Sequence, residues 1–205
     1  MGARRVAARD GAGAESVPRV RVGEDEGQRA LLVDGVVQSV AVAGPVFGPG
    51  YWPHMLPDVR PRRALLLGLG GGTIAHLLVR RFGPIPIVGV EADAEVLALA
   101  RAEFDLTLPS LTVVEGDALA YVAACEERFD YVCVDLYRGA ELERGVLARP
   151  ILRGIKRLLL PGGLAIFNLF RDRRTDRRVH RLRQVFAWAE AETIAKNVVV
   201  RCPGR

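Results

Sequence analysis

A glycine-rich turn followed by a carboxylate is the part of this chain best suited to chemistry. The apolar run 64–68 ends in glycines, and a helix-like segment opens at Thr73. A second apolar run, 86–90, ends in Glu91. Glycines let the backbone approach a ligand, and a carboxylate can accept from both hydroxyls of a ribose. This pattern predicts a nucleoside pocket. Its predicted glycine contacts are Gly68, Gly70, Gly71 and Gly72.

Two further acids follow the same pattern. Asp117, with Ala118 beside it, comes after the apolar run 111–114 and is predicted to accept from the amine of an adenine. Asp93 precedes an apolar-periodic segment and is predicted mainly to cap a helix. A helix cap is an equally good interpretation of Asp117. For Glu91 the alternative is an exposed acid that caps the next helix, and for the glycines it is a tight turn between strand and helix.

Asp135 ends the apolar run 131–135, and Tyr137 and Arg138 follow it. A carboxylate at the end of a central strand faces the ligand crevice of an open α/β sheet. It can hold or deprotonate an attacking amine. Asp135 is therefore the predicted catalytic residue, and it also belongs to the predicted substrate-binding set.

These residues require a sheet whose strand ends converge. From Arg63 onward, apolar runs alternate with helix-like segments, which indicates βαβ units and a mostly parallel sheet. One or two strands around Lys196-Asn197 are expected to close it. The predicted strands lie near 64–68, 86–90, 111–114, 131–135 and 163–168. The predicted helices lie near 72–82, 93–104, 118–125, 146–159 and 175–190.

A small antiparallel lobe is predicted before this α/β unit. Asp34-Gly35 joins two β-rich runs and favours a type I′ hairpin, in which both central residues need positive φ. A helical turn is expected near Trp52 to Leu56. The predicted organisation is a flexible tail at 1–16, the hairpin lobe and a loop at 17–60, and the α/β domain at 61–205.

The composition of the chain limits the cellular compartment and the binding partners that we expect. The 205 residues carry a net charge of +5, and the three cysteines show no CxxC spacing, so we expect no metal site and no disulfide framework. No apolar run reaches the roughly 18 residues of a membrane span. The first residues lack a signal peptide's apolar segment, and we expect a cytoplasmic protein without a membrane partner. Seven arginines lie between Arg171 and Arg183, but interspersed acids make a solvated helix face a better interpretation than a nucleic-acid site.

In this order and spacing, the glycine turn, Glu91, Asp117 and Asp135 resemble the class I fold shared by S-adenosylmethionine methyltransferases and polyamine aminopropyltransferases. The segment LeuLeuLeuProGlyGlyLeu at 158–164 is similar to the turn before that fold's fifth strand. The predicted fold class is therefore α/β and Rossmann-like, with a mostly parallel sheet of the seven-stranded type and a small N-terminal hairpin lobe.

Within that fold, the chain is more similar to the spermidine synthase family. Leu66 stands where most methyltransferases carry an acid, and ValAspGlyValValGln at 33–38 resembles the family's hairpin. The resemblance implies that Gln38 faces the nucleoside and that either Tyr51 or Trp52 lines the substrate site. Tyr137 and Arg138 complete the predicted substrate-binding residues.

The resemblance also implies ligands and partners. The co-substrate would be S-adenosylmethionine or its decarboxylated form, with no metal, and the acceptor would be a small molecule. A homodimer is possible, because members of the family commonly form dimers.

Two departures from the family pattern change the expected substrates. Gly70 replaces a loop aspartate that disfavours the donor's carboxylate, so we expect S-adenosylmethionine to bind at least as well as its decarboxylated form. Arg138 replaces a second acid of the family's catalytic segment. A guanidinium there would repel a diamine such as putrescine and would favour a carboxylate or phosphate.

Three functions remain open from the sequence. The first is a spermidine-synthase-like transferase that moves an aminopropyl or related group to an amine. The second is a methyltransferase acting on a small anionic acceptor near Arg138, and the third is a non-catalytic nucleoside-binding homologue. A dinucleotide-dependent dehydrogenase is disfavoured, because the loop has no glycine at the third position of GxGxxG.

Overall fold

The structure is a computed structural model and describes residues 19–43, 50–186 and 188–204. The tail predicted at 1–16 lies outside these residues. The strands are β1 (Val20–Asp25), β2 (Gln28–Val33), β3 (Val36–Val40), β4 (Ala64–Leu67), β5 (Ile87–Glu91), β6 (Leu111–Glu115), β7 (Phe129–Val134), β8 (Tyr137–Arg138), β9 (Glu141–Leu142), β10 (Leu159–Phe170), β11 (Glu190–Ile194) and β12 (Asn197–Pro203). The helices are α1 (Thr73–Phe82), α2 (Ala94–Glu103), α3 (Ala118–Ala124), α4 (Arg149–Leu158) and α5 (Thr175–Phe186), and a 3₁₀ turn spans Trp52–Met55.

In the described part of the chain the main sheet has seven strands in the order β11-β12-β10-β7-β4-β5-β6. The five strands from β10 to β6 are parallel, and β12 pairs antiparallel with both β10 and β11. The predicted α/β fold with a mostly parallel sheet is therefore confirmed, and of the one or two closing strands expected the structure has two. The order reverses direction at β4, and such a switch point is where open α/β sheets bind ligands.

Two helix boundaries differ from the sequence expectation. The helix predicted at 146–159 begins at Arg149, because Val146 and Leu147 are buried in a turn and Pro150 sits in the first helical turn, where its missing N–H costs nothing. The helix predicted to reach 190 ends at Phe186. Glu190 instead begins β11, whose backbone groups pair with β12.

The two faces of the sheet are covered by different helices. Along β4, Leu65 and Leu67 pack into a core with α3, α4 and α5, while Ala64 and Leu66 pack into a second core with α1 and α2. Strands buried on both faces need apolar residues at consecutive positions, which is why β4 reads AlaLeuLeuLeu without alternation.

The N-terminal lobe is a three-stranded antiparallel sheet, β1-β2-β3. Asp34 and Gly35 both have positive φ, as the predicted type I′ hairpin requires. One face of the lobe contributes Leu32 to the core around α1, and the other packs Leu31 against Phe104 at the end of α2. The lobe therefore packs along α2 and against the start of α1, beside the glycine turn.

Candidate functional site

A cleft of about 640 Å³ lies at the carboxyl ends of the neighbouring strands β7, β4, β5 and β6. This volume is within the range of small-molecule pockets. Glu91 and Asp117 line this one cleft together with Asp135. We call the part around Gly70, Glu91 and Asp117 the β5 end, and the part around Asp135, Tyr137 and Arg138 the β7 end.

At the β5 end, Glu91 is held by backbone N–H groups. Its Oε2 accepts from the Gly70 N–H at 2.9 Å, and its Oε1 accepts from the Asp93 N–H at 3.1 Å. Burial raises the pKa of Glu91, and these backbone hydrogen bonds oppose the rise. Each carboxylate oxygen has a second acceptor position, so Glu91 can bind a diol while it remains anchored to the loop.

The acids Asp93 and Asp117 both cap helices. Asp93 accepts from two N–H groups at the start of α2, as predicted. Asp117 accepts from the Ala120 N–H at 2.7 Å, so its cap role is present, and both Asp117 and Ala118 line the cleft. Because the cap uses only Oδ1, the other carboxylate oxygen of Asp117 remains available to a ligand.

The four predicted glycines divide into two pairs. Gly68 and Gly70 line the cleft, whereas Gly71 and Gly72 are buried and are not part of the cleft wall among the described residues. The predicted ligand contacts of Gly71 and Gly72 stay a prediction. The Gly71 N–H donates to Ser39 Oγ at 2.7 Å, and Gly72 caps α1. Both therefore shape the loop from behind.

Gly68 marks the place where the two ends of the cleft meet. It has φ +88°, and a Cβ at this position would lie 2.1 Å from the Asp135 carbonyl oxygen. Only glycine fits both the left-handed conformation and this close approach of β4 to the residue after β7.

At the β7 end, Asp135 is held by side chains. Its Oδ2 accepts from the Tyr51 hydroxyl at 2.7 Å, and its Oδ1 accepts from Asn168 Nδ2 at 2.8 Å. Burial raises the pKa of Asp135, and the hydrogen bonds from Asn168 and Tyr51 oppose the rise. A raised pKa makes a carboxylate a stronger base, which suits the role predicted for Asp135.

The pair Tyr51-Trp52 contributes in two ways. Trp52 lines the cleft, whereas the Tyr51 ring, stacked on Trp52 with centroids 4.7 Å apart, is not part of the wall and reaches the site through its hydroxyl on Asp135. Burial and the nearby Asp135 charge raise the pKa of Tyr51, so Tyr51 stays a neutral donor. Of the two aromatic residues, Trp52 is therefore the one that lines the cleft, and Tyr51 supports Asp135.

A short hairpin, β8-β9, covers the β7 end. Tyr137 lies at its start, and its hydroxyl accepts from the Phe170 N–H at 2.8 Å. Gln38 lines the cleft, but its Nε2 donates to the Gly139 carbonyl oxygen at 3.0 Å, so it ties the N-terminal lobe to this hairpin.

Arg138 is not a free cation. Its Nε donates to Glu143, which also lines the cleft and is only 18% exposed. The repulsion of a diamine that the sequence predicts from Arg138 is therefore reduced by the Glu143 carboxylate. The pair is neutral, and Asp135 adds one negative charge when it is ionised.

Several residues of the site were not predicted from the sequence. Asn168 ends the strand predicted at 163–168, so the rule that identified Asp135 would have found it. Arg19, Ser39 and Glu143 carried no comparable signal. Arg19 donates to Asp93 at 2.7 Å and to Glu95 at 2.8 Å, across more than 70 residues of sequence, and such a pairing depends on the tertiary structure.

Metal clusters and membrane-spanning helices are both absent from residues 19–43, 50–186 and 188–204. No cluster of three or more His, Cys, Asp or Glu side chains in these ranges could hold a metal ion. None of the helices there combines the length and the apolar character needed to span a membrane.

Comparisons with known proteins agree with this fold. The family described as a methyltransferase domain matches residues 64–163. The polyamine aminopropyltransferase of Chromobacterium violaceum is 26% identical over 182 residues, which cover 84% of this chain and 70% of that protein. That of Neisseria meningitidis is 25% identical over 146 residues, 70% of this chain and 56% of its own length. The names of these relatives are those of transferases, the enzyme class predicted from the sequence.

Solved structures show the same fold. A probable spermidine synthase from Corynebacterium glutamicum has a TM-score of 0.78 at 20% identity and covers 90% of this chain and 76% of its own. A spermidine synthase in complex with the transition state analogue AdoDATO has a TM-score of 0.70 at 15% identity, and the match covers 91% of this chain and 74% of that protein. Human methyltransferase-like protein 13 in complex with SAH has a TM-score of 0.65 at 24% identity, and the match covers 75% of this chain and 76% of that protein. This chain therefore has the class I methyltransferase fold, in the form that is also seen in spermidine synthases.

Proposed function

We propose that this chain is a spermidine-synthase-like transferase that moves an aminopropyl or related group from an S-adenosyl donor to a small amine. The observation that carries the proposal is the single cleft that Glu91, Asp117 and Asp135 line together. A nucleoside held at the β5 end would place its sulfonium arm toward Asp135. The names of the sequence relatives support the same reaction class.

The β5 end fits an adenosine moiety by the chemistry of its groups. Glu91 offers acceptor positions for the ribose hydroxyls, and the free oxygen of Asp117 offers one for an exocyclic amine. Gly68 and Gly70 leave the loop wall without side chains. Two of the structural neighbours were solved with S-adenosyl-type ligands, SAH and AdoDATO, and we assign such a donor to this cleft.

The form of the donor depends on charge near Gly70. A Cβ at Gly70 would lie 2.7 Å from Ser39 Oγ, and Gly70 has φ +54°, so an aspartate at this position would strain the loop. Without a carboxylate there, the loop does not repel a carboxylate on the donor. We therefore propose that S-adenosylmethionine binds at least as tightly as its decarboxylated form.

The β7 end fits an amine acceptor. When bound, the donor supplies a carbon made electrophilic by its sulfonium, with a thioether as the leaving group. Asp135 would orient the attacking nitrogen and accept its proton, while Tyr51 and Asn168 hold the carboxylate in place. Because Glu143 neutralises Arg138, the repulsion of a dicationic acceptor such as putrescine is weaker than the sequence predicts.

Binding and turnover measurements test the proposal separately. Calorimetry with S-adenosylmethionine and with decarboxylated S-adenosylmethionine should give binding of both, and binding of the decarboxylated form alone would contradict the donor assignment. Turnover with a panel of mono- and diamines should release methylthioadenosine together with an alkylated amine. Donor binding without any product would favour a non-catalytic nucleoside-binding homologue.

Methyl transfer is the second candidate, favoured by the methyltransferase-domain match over 64–163 and by the absence of an acid at Gly70. Its product is S-adenosylhomocysteine, so the same assay separates the two reactions. An anionic acceptor near Arg138 is less favoured than the sequence suggests, because Glu143 already occupies that guanidinium. We also propose that the protein is cytoplasmic and forms a homodimer. Light scattering of the purified protein tests the dimer.

A further inference from the structure

Two asparagines form a buried chain of hydrogen bonds that ends on Asp135. Asn168 on β10 is 1% exposed, and Asn197 at the start of β12 is 8% exposed. Asn197 Nδ2 donates to Asn168 Oδ1 at 2.8 Å, and Asn168 Nδ2 donates to Asp135 Oδ1 at 2.8 Å. Since buried polar groups are costly when unpaired, the pairing of both amides is a strong constraint on β10 and β12.

The direction of this chain of bonds matters. An asparagine amide has one donating and one accepting side. Because Asn197 donates to the oxygen of Asn168, the Asn168 NH₂ group must point at Asp135. If Asn168 turned over, its carbonyl oxygen would face the carboxylate, and its NH₂ group would face the NH₂ group of Asn197. Asn197 therefore holds Asn168 in the orientation that stabilises a negative charge on Asp135.

The surroundings of Asp135 supply little other stabilisation. Its titratable neighbours are Tyr51, Tyr131, Cys133 and Tyr137. Burial and the charge of Asp135 raise the pKa of each of these groups, so all four stay neutral. Toward the cleft, Arg138 is engaged with Glu143. Among the described residues no Lys, Arg or His forms an ion pair with Asp135. Its charge thus depends on two neutral donors, the Tyr51 hydroxyl and the Asn168 amide.

We propose that Asn168 and Asn197 are positioning residues for Asp135: Asn197 fixes the amide of Asn168, and Asn168 keeps the Asp135 carboxylate ionised and aimed into the cleft. The catalytic part of this inference rests on the proposed function. The electrostatic part does not, because the ionisation of Asp135 is measurable without turnover.

A direct titration of Asp135 is the first test. Carboxyl-carbon NMR of the full chain labelled at aspartate, with the Asp135 signal assigned by its loss in Asp135→Asn, follows its ionisation with pH. In Asn168→Leu we expect the midpoint to rise by about one to two pH units, the value of one hydrogen bond to a charged group. In Asn197→Leu we expect a smaller rise in the same direction. Unchanged midpoints in both variants would overturn the inference.

A matched control separates this effect from general loosening of the sheet. Val199 lies on β12 directly opposite Asn168 and is buried, but it has no polar group. Val199→Ala should lower stability and leave the Asp135 midpoint where it is. If Asn168→Leu does not fold, Asn197→Leu against Val199→Ala decides the question. A rise of equal size in Val199→Ala would also contradict the proposal.

The pH dependence of turnover is the second test. The acid limb of the kcat profile should move to higher pH in Asn168→Leu and Asn197→Leu, with the alkaline plateau much less affected. A purely structural role would lower the plateau and leave the limb in place. If the NMR midpoint moves but the wild-type protein shows no turnover with any acceptor, the proposed function fails and the positioning inference stands.

Discussion

Glu91 and Asp135 are both partly buried carboxylates in one cleft, but they are held differently. Glu91 accepts from the backbone N–H groups of Gly70, in the glycine turn, and of Asp93, just before α2. Asp135 accepts from side chains that arrive from positions 51 and 168. The β5 end is thus shaped by the backbone, whereas the β7 end depends on side chains from three separate segments.

The largest effect is expected at the β7 end. Asp135→Asn should lower turnover about 10²–10⁴-fold, the usual contribution of a general base, and leave the donor dissociation constant nearly unchanged. Steady-state kinetics with an amine acceptor and calorimetry with the donor measure the two separately. Unchanged turnover would rule out Asp135 as the base, and a comparable loss of donor affinity would show that the two ends are not independent.

Gly68→Ala should damage both ends, because Gly68 lies where they meet. A Cβ 2.1 Å from the Asp135 carbonyl oxygen forces a backbone shift, and φ +88° is unfavourable for alanine. We expect a loss of about 2–5 kcal/mol in the free energy of unfolding, from overpacking and left-handed strain together. Urea denaturation measures it.

Gly83→Ala is the control for Gly68→Ala. Gly83 has φ +77°, and a Cβ added to it would have no neighbouring atom within 4 Å. With ψ −177° its conformation is one that is essentially restricted to glycine, so Gly83→Ala should show only the conformational cost, about 1–3 kcal/mol. Equal losses in the two variants would mean that the close approach of β4 to Asp135 is not a constraint.

At the β5 end, Glu91→Gln should weaken donor binding without affecting the chemical step. Hydrogen bonds to a charged group contribute about 1.5–3 kcal/mol, so we expect the dissociation constant to rise about 10- to 100-fold. Glu115→Gln is the matched control, because Glu115 pairs with Glu91 in register at the end of β6 and is exposed outside the cleft. Equal effects of the two substitutions would remove the ribose-binding role.

The smallest expected effect is on stability and depends on pH. Burial raises the pKa of Asp135 in the folded state, so the folded protein binds this proton more tightly than the unfolded chain does. Ionised Asp135 therefore costs stability, and that cost appears as the pH rises from the unfolded pKa through the folded one. Asp135→Asn should raise Tm at pH 8 and leave it nearly unchanged at pH 4. A Tm below that of the wild type at pH 8 would contradict the interpretation.

The residues found from the sequence share a local signature. Glu91, Asp117 and Asp135 each follow an apolar run, and in a parallel sheet the carboxyl ends of such runs meet at one edge. Asn168 has the same signature and could have been identified by the same rule. Gly71 and Gly72 share the pattern of the glycine turn but are buried behind the cleft wall, where Gly71 donates to Ser39 and Gly72 caps α1. The sequence does not show which backbone groups of a turn form such internal contacts.

Other features had no sequence signal. Glu143 neutralises Arg138 through a two-stranded hairpin too short to be predicted from periodicity. Asn197 reaches Asn168 only because β12 pairs antiparallel with β10. In both cases the partner of a charged or polar group is set by strand pairing.

The amino-acid sequence by itself determined the α/β alternation, the glycine turn and the strand-end carboxylates, because each depends on hydrophobic periodicity and backbone conformation within a few neighbouring residues. Only the tertiary structure decided the charge of the β7 end, the division of roles between Tyr51 and Trp52, and the asparagines behind Asp135. Tyr51 and Asn168 reach Asp135 from distant segments, and Glu143 reaches Arg138 because the chain folds back in the β8-β9 hairpin. These hydrogen-bond partners are therefore properties of the folded chain rather than of an apolar run or a backbone preference.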